Sequence, residues 1–274
     1  MPDGRDARPV ALVTGGGSGI GEAVCLRLDA DGFVVVVLDK VSEWAALTAN
    51  LLSNDPEFCV VDVCDSSSVN EAIQEVARKR GRLDVLVNNA GIRGGDEAEA
   101  AFGRLESRLG EIAGGGEPET TVDATVNITD EAWHNMLDTH LSGTFYCTRA
   151  ALPFMMSKRS GSIVNISSTC GLIGCEHIPH YSAAKGGIQA FTRAVARDVA
   201  PYGIRVNAIA PGYIETPLGS SIGGRMRSKL EEEIVLGRFG HPREVADTVA
   251  FLVGESGSYF TGQVLSPNGG LVIA

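Results

Sequence analysis

Seven short runs rich in valine, leucine and isoleucine recur along this chain, and helical patterns fill most of the gaps between them. The runs predict strands over 10–14, 33–39, 58–63, 83–88, 162–167, 204–208 and 263–266. Helices are expected near 19–30, 42–53, 67–80, 130–157, 180–200 and 242–254. The plainest strand, "FVVVVLD", is apolar at every position rather than at every second one. Such a strand is buried on both faces, which points to an α/β chain whose parallel sheet is covered by helices on each side. With 274 residues, 44% of them apolar, the chain can build one substantial core, and no internal repeat or linker divides it. One domain over 1–274 is expected.

Residues 92–128 break the rhythm. Within "DEAEAAFGRLESRLGEIA", Phe102, Leu105, Leu109 and Ile112 fall at helical spacing, and "GGGEPETT" follows, a composition that favours mobility. A connection this long in a compact domain is functional or disordered, so a lid, a partner contact and a bare insertion all stay open.

Composition excludes several roles. A net charge of −11 argues against a nucleic-acid surface. No run of about 18 apolar residues offers a membrane span. The start, "MPDGRDARPV", lacks the apolar core of a signal peptide, so a cytoplasmic location is expected. Six cysteines form no CxxC pair, and cytoplasmic chains rarely rely on disulfides. Cys170, Cys175, His177 and His180 cluster in sequence, but their spacing matches no common zinc site. They read as small thiols and loop histidines, and no metal is expected.

The first strand runs into "VTGGGSGIGEAVCLRL". Gly15, Gly19 and Gly21 stand between a strand and a helix, where glycines let the backbone approach a pyrophosphate. The helix start beyond them offers unpaired N–H groups and a positive dipole end. Eighteen residues after Gly21, Asp39 closes the second strand. Its carboxylate can accept both hydroxyls of an adenosine ribose and would repel the 2′-phosphate of NADP. The loop holds no Arg or Lys, and Lys40 is expected to point to the far side of its strand. NAD is therefore expected, with NADP the weaker candidate. Asp62 stands where an adenine amino group could donate to it, although a strand-end turn explains it as well.

In "HIPHYSAAKGGIQAF", Tyr181 and Lys185 lie one helical turn apart, beside the apolar stripe Ile188, Phe191, Val195 and Val199. A lysine turned toward the protein body is unusual unless its charge is used. That pair, "TGGGSGIG" at 14–21, "NNAG" at 88–91, "NISS" at 165–168, "YSAAK" at 181–185 and "PGYIET" at 211–216 together resemble the short-chain dehydrogenase/reductase family over nearly the whole chain. The resemblance implies a doubly wound Rossmann-type sheet of seven parallel strands, a hydride-transfer enzyme and often a homotetramer. It implies Tyr181 as proton donor or acceptor, with the Lys185 ammonium and a positive nicotinamide lowering the phenol's pKa. Ser168 would hold the substrate oxygen, with Ser167 the competing choice. Cofactor contacts would come from Gly15, Ser18, Gly19, Ile20 and Gly21; Asp39, Asp62 and Val63; Asn89, Ala90 and Gly91; Tyr181 and Lys185; and Pro211, Gly212, Ile214 and Thr216. Residues 213–236 would form a substrate flap.

One position departs from the family. "DTHLSGTFY" supplies His140 where the family usually has asparagine, whose carbonyl helps anchor a relay water. Imidazole both accepts and donates, so His140 is a candidate for that relay. The chain's close resembles 3-oxoacyl-thioester reductases and related secondary-alcohol dehydrogenases. Lys158 and Arg159 could flank an entrance for an acidic carrier protein, although Tyr202 stands where a second basic residue is common. Asp39 argues against the NADPH that such reductases favour. An NAD-dependent dehydrogenase of a small alcohol or ketone ranks first, a carrier-protein reductase second. A non-catalytic NAD sensor is disfavoured because Ser168, Tyr181 and Lys185 are all present.

Overall fold

The computed structural model describes residues 8–217 and 224–273. Strand β1 (Val10–Thr14), helix α1 (Gly19–Ala30), β2 (Val34–Asp39), α2 (Ser42–Ala49), β3 (Glu57–Val60), α3 (Ser66–Arg80) and β4 (Val85–Asn88) come first. Then follow α4 (Asp96–Ala113), the short α5 (Ala124–Asn127), α6 (Asp130–Leu137), α7 (Gly143–Lys158), β5 (Gly161–Ile166) and the short α8 (Cys170–Ile173). The chain closes with α9 (Pro179–Val199), β6 (Ile204–Ile209), α10 (Gly224–Glu233), α11 (Pro242–Val253) and β7 (Val264–Leu265). The strands form one sheet in the order β3-β2-β1-β4-β5-β6-β7, and every neighbouring pair is parallel. This is the doubly wound Rossmann-type fold that the resemblance implies.

The continuous apolar runs are explained by where their alternate residues go. Val10, Leu12, Val34, Val36 and Leu38 enter the core layer that also takes Val69 and Ile73 of α3, Met155 of α7 and Val199 of α9. Ala11, Val13, Val35 and Val37 face the opposite layer, with Val24 and Leu28 of α1, Ala45 of α2 and Val245 and Val249 of α11. Along β1 and β2 neither face meets water, which is why both strands are apolar almost throughout. Because β1 lies between β2 and β4, the loops leaving β1 and β4 part in opposite directions. A crevice opens there beyond the strand ends.

The helix expected over 130–157 is not continuous. Thr129 caps α6 by accepting the Ala132 N–H (3.1 Å), and a π-helical turn at Asp138–Ser142 then separates α6 from α7. A π turn carries one extra residue per loop of backbone, which rotates a side chain that a regular helix would aim elsewhere. The residue at its centre is His140. Strand β3 also stops at Val60, so Asp62 and Val63 stand on the loop beyond it.

The 92–128 segment contains the expected amphipathic helix, α4, with Leu105 and Leu109 buried. They pack against Met226 and Leu230 of α10 and against Ile234 and Phe239. The Glu106 carboxylate accepts the Arg225 and Met226 N–H groups at the start of α10 (2.9 and 3.0 Å). Ile112, expected on the same face, is exposed. The glycine-rich stretch expected to be mobile is bonded back along α4. Glu111 accepts the Glu119 and Thr120 N–H groups, and Arg104 and Arg108 donate to the Val122 and Thr120 carbonyls. The insertion and the flap thus form one wall; residues 218–223 of the expected flap lie outside the described residues.

A buried polar chain crosses the sheet just below the crevice. The Asn88 amide donates to Asn165 (2.8 Å) and Thr148 (3.1 Å), and the Asn165 amide donates to Thr192 on α9 (2.9 Å). Asn165→Ala strips an acceptor from one end and a donor from the other. The expected loss is about 1–3 kcal/mol, the cost of unmet buried hydrogen bonds, read as a lower denaturant midpoint. An unchanged midpoint would show that the chain contributes nothing.

Candidate active site

At the mouth of the crevice the glycine loop is held by the Thr14 side chain at the end of β1 and the Asn89 side chain just past β4. Thr14 Oγ1 accepts the Asn89 and Ala90 N–H groups (3.0 and 3.1 Å), while the Asn89 amide donates to the Thr14 and Gly15 carbonyls (3.1 and 2.9 Å). This exchange leaves no room for larger residues. A Cβ on Gly15 would stand 2.7 Å from Ala90 Cα, and one on Gly21 only 2.0 Å from the Gly15 carbonyl oxygen. Gly15 and Gly19 also take positive φ of 60° and 57°, a conformation that glycine adopts without steric cost. Ser18 flanks the start of α1 without capping it through its side chain, so first-turn N–H groups face the crevice.

One cavity of about 500 Å³ runs from this loop to the end of β5. Gly15, Ser18, Gly19, Ile20, Asp39, Asp62, Val63, Asn89, Ala90 and Gly91 line one part, and His140, Ser168, Tyr181, Lys185, Pro211, Gly212, Ile214 and Thr216 line the rest. Of the residues expected from sequence, only Gly21 is set back, behind Gly15. Asp39 is 8% exposed, and its two carboxylate oxygens accept the Gly17 and Val41 N–H groups, each at 3.0 Å. Lys40 also lines the cavity. The expectation that it turns away is therefore corrected, since the strand ends at Asp39 and alternation ends with it. The glycine cradle, the free α1 terminus and the carboxylate at the end of β2 suit a dinucleotide with an adenosine ribose.

At the other end, Ser168 and Tyr181 line the cavity together, and the Ser168 hydroxyl favours the ionised form of the phenol. Ser167 is committed elsewhere: its hydroxyl donates to the Lys185 carbonyl and accepts from Gln189, both at 2.9 Å. Lys185 is 3% exposed; its Nζ donates to the Ile166 carbonyl (2.7 Å) and lies 5.5 Å from the Tyr181 ring centroid. Burial pushes this lysine down to about 7. It also pushes the Tyr181 phenol up to about 12, with the Ser168 hydroxyl pulling the other way. The expected acidic phenol is not found in the protein alone. The ammonium is not in contact with the hydroxyl, and loss of water around the phenolate outweighs it.

His140 stands edge-on to Tyr181, ring centroids 5.2 Å apart. Its Nε2 serves Ile92, donating to the carbonyl at 2.8 Å in one tautomer or accepting the N–H at 3.1 Å in the other. Nδ1 is buried and unpaired among the described residues. Burial, with Lys185 nearby, keeps the imidazole well below its usual pKa and therefore neutral.

Cys170 and Cys175 are joined by a disulfide, where sequence reading expects free thiols. Their backbone is folded into a tight loop, since Cys170 N–H donates to Ser168 Oγ (3.1 Å) and Cys175 N–H to Ser182 (2.9 Å). Among the described residues no cluster of three or more His, Cys, Asp or Glu side chains is placed to hold a metal. His177 instead packs on Phe102, ring centroids 4.2 Å apart. Residues given no site role from sequence also line the cavity, including Trp44, Arg93, Phe102, Tyr213 and Phe239. Phe102 was legible as part of the amphipathic stripe and Tyr213 as part of "PGYIET", but neither pattern said what the side chain faces.

A family model described as short chain dehydrogenase matches residues 9–226. The 3-oxoacyl-acyl-carrier-protein reductase of Thermotoga maritima is 37% identical over 268 residues, spanning 96% of this chain and 98% of that protein. The Escherichia coli protein of the same description is 32% identical over 262 residues, spanning 96% of each. Among solved structures, levodione reductase superposes with a TM-score of 0.82 at 30% identity, over 96% of both chains.

The buried lysine makes stability depend on pH. Its pKa falls from 10.5 in water to about 7 in the folded chain. Between those values the unfolded state binds more protons, so this group's penalty is full below 7 and fades toward 10.5. Lys185→Met is therefore expected to raise the melting temperature at pH 6, with the gain shrinking as pH nears 10. Thermal unfolding at several pH values checks it; a variant less stable than its parent at pH 6 contradicts it.

Proposed function

The chain belongs to the short chain dehydrogenase family and is an oxidoreductase of alcohol and keto groups; we propose that it uses NAD and interconverts a small secondary alcohol and its ketone. The observation that carries this reading is the meeting of Ser168, Tyr181 and Lys185 in the same cavity as the glycine loop and Asp39. When bound, the dinucleotide supplies or accepts the hydride and, oxidised, adds a positive charge beside the phenol. Its pyrophosphate would rest on Gly15, Ser18, Gly19 and Ile20, its adenine near Asp62 and Val63, and its nicotinamide near Pro211, Gly212, Ile214 and Thr216.

The protein's own groups do the rest. Ser168 and Tyr181 hold the substrate oxygen between two hydroxyls, and Tyr181 passes the proton. Lys185 lies beneath, donating to Ile166 and free to donate its other protons upward. His140 is neutral, so it cannot carry a proton as imidazolium; its bare Nδ1 can accept from a relay water. Asp39 supports NAD, because a second anion beside its carboxylate is repelled. Lys40, lining the same end, is the group that opposes this preference.

The curated relatives' names favour the second reading, a carrier-protein reductase. Against it, Lys158 and Arg159 stand at the opposite end of the strands from the site, just before β5 begins. Lys158 pairs with Asp84, and Arg159 donates to the Pro201 carbonyl (2.7 Å) and lies over Tyr202. The reading includes a cytoplasmic homotetramer. Phe145 on α7 meets Phe191 of α9 edge-on (6.2 Å) and is 39% exposed, an apolar strip a second copy could cover.

A paired NAD+ and NADP+ screen with secondary alcohols and 3-hydroxyacyl thioesters tests this. NAD+ and the alcohols are expected to win in kcat/KM, and Tyr181→Phe to lose about 100-fold or more in kcat while still binding NADH. Preference for NADP+, or an active Tyr181→Phe enzyme, overturns it. For His140, an alanine variant is expected to lose about tenfold in kcat at every pH from 6 to 9, because a neutral group removes no titrating limb. A variant matching its parent in kcat and pH profile takes His140 out of the relay.

A further inference from the structure

We propose that the substrate carries a carboxylate, held by Arg93 at the entrance to the site; this rests on the oxidoreductase reading above. Arg93 follows the β4 loop directly after Ile92, whose backbone is tied to His140, and His140 touches the Tyr181 ring. The arginine thus shares one cavity with the reacting phenol and is only half-exposed.

Its surroundings are aromatic rather than anionic. The guanidinium carbon lies 5.0 Å from the centroid of Phe102, which packs on His177. Burial and the nearby Arg93 charge push His177 down to about 4, so that ring is neutral and offers no negative charge. Tyr213 and Phe239 stack 5.4 Å apart and line the cavity too. The chain has 34 acidic residues against 23 basic ones, and Arg27, Arg78, Arg80, Arg82, Arg227 and Arg238 all have carboxylate partners. No ion pair among the described residues involves Arg93. Glu97, its nearest acidic candidate in sequence after Asp96, instead accepts the Gly95 N–H (3.0 Å) and faces His180.

The other cations of the cavity are placed for other work. Lys185 is bonded to Ile166 at its base, and Lys40 stands beside Asp39 at the far end. Arg93 is therefore the cation of this cavity left to meet a substrate. A planar guanidinium held by stacking keeps its donor fork free, and that fork matches a carboxylate in two parallel hydrogen bonds. The apolar walls strengthen such a pair by excluding water. The substrate class is a keto acid or hydroxy acid whose body is apolar.

The test uses straight-chain oxo acids with the ketone at position 2, 3, 4 or 5, each paired with its methyl ester, and NADH and NADPH as donors. At least one acid is expected to exceed its ester by about tenfold or more in kcat/KM, the worth of a charge-assisted hydrogen bond. Arg93→Met should erase that preference, mainly through KM for the acid, and leave the ester within about twofold. Arg93→Lys should restore part of it. Equal use of acids and esters by the parent, or a preference that survives Arg93→Met, overturns the proposal while the esters' turnover keeps the enzyme reading intact. If no acid, ester or simple secondary alcohol is turned over with either cofactor, the oxidoreductase reading fails and this inference fails with it.

Discussion

A parallel sheet buried on both faces has nowhere along its faces to hold a ligand, so everything this protein does must happen at the strand ends. Between β1 and β4 the chain leaves in opposite directions, and the hydrogen bonds exchanged by Thr14 and Asn89 keep those two exits together. The glycine loop, the β4 loop and the wall beyond them are all referenced to that junction. Shift it, and Gly15, Asn89 and Ile92 move as one; through Ile92 so does His140, and with it the packing on Tyr181. The cofactor end and the reacting end are in this sense one construction.

Burial then sets a conflict at the reacting end. Taking water away from Tyr181 and Lys185 moves both toward their neutral forms, the opposite of what an ammonium-assisted phenolate needs. A further positive charge beside the phenol would favour its ionised form. An oxidised nicotinamide is such a charge, and a reduced one is not. A site arranged this way would couple the phenol's acidity to the oxidation state of what it holds, which is useful when the same group must give a proton in one direction and take it in the other.

Much of this was legible in the sequence. The strands lie within a few residues of the apolar runs because burial on two faces forces an unbroken apolar code. The glycine loop and the Tyr181–Lys185 turn were legible because close backbone approach and helical spacing are local matters. What escaped notice depends on distant partners or on solvent. A π turn leaves no periodicity of its own, so the kink at His140 was hidden inside one long helical pattern. The direction of the phenol's shift is set by water exclusion, which spacing does not encode. Glu106 capping a helix 119 residues away cannot be read from either segment alone. Compartment argues against a Cys170–Cys175 bond, but it says nothing about two thiols folded together in one tight loop.

The insertion gains its meaning from these distant contacts. Leu105 and Leu109 need an apolar partner, and α10 supplies one, so the segment whose role the sequence leaves open packs into the wall beside the site. Once it is there, Phe102 lies between Arg93 and His177. Without α4 the guanidinium would be an ordinary solvated charge on a loop, with a flexible stem and little preference for any anion. Stacked on Phe102 it loses freedom before the substrate arrives, and less entropy remains to be lost on binding. The same helix that closes the wall thus prepares the charge in it, which ties substrate choice to the one segment that departs from the strand–helix rhythm of the fold.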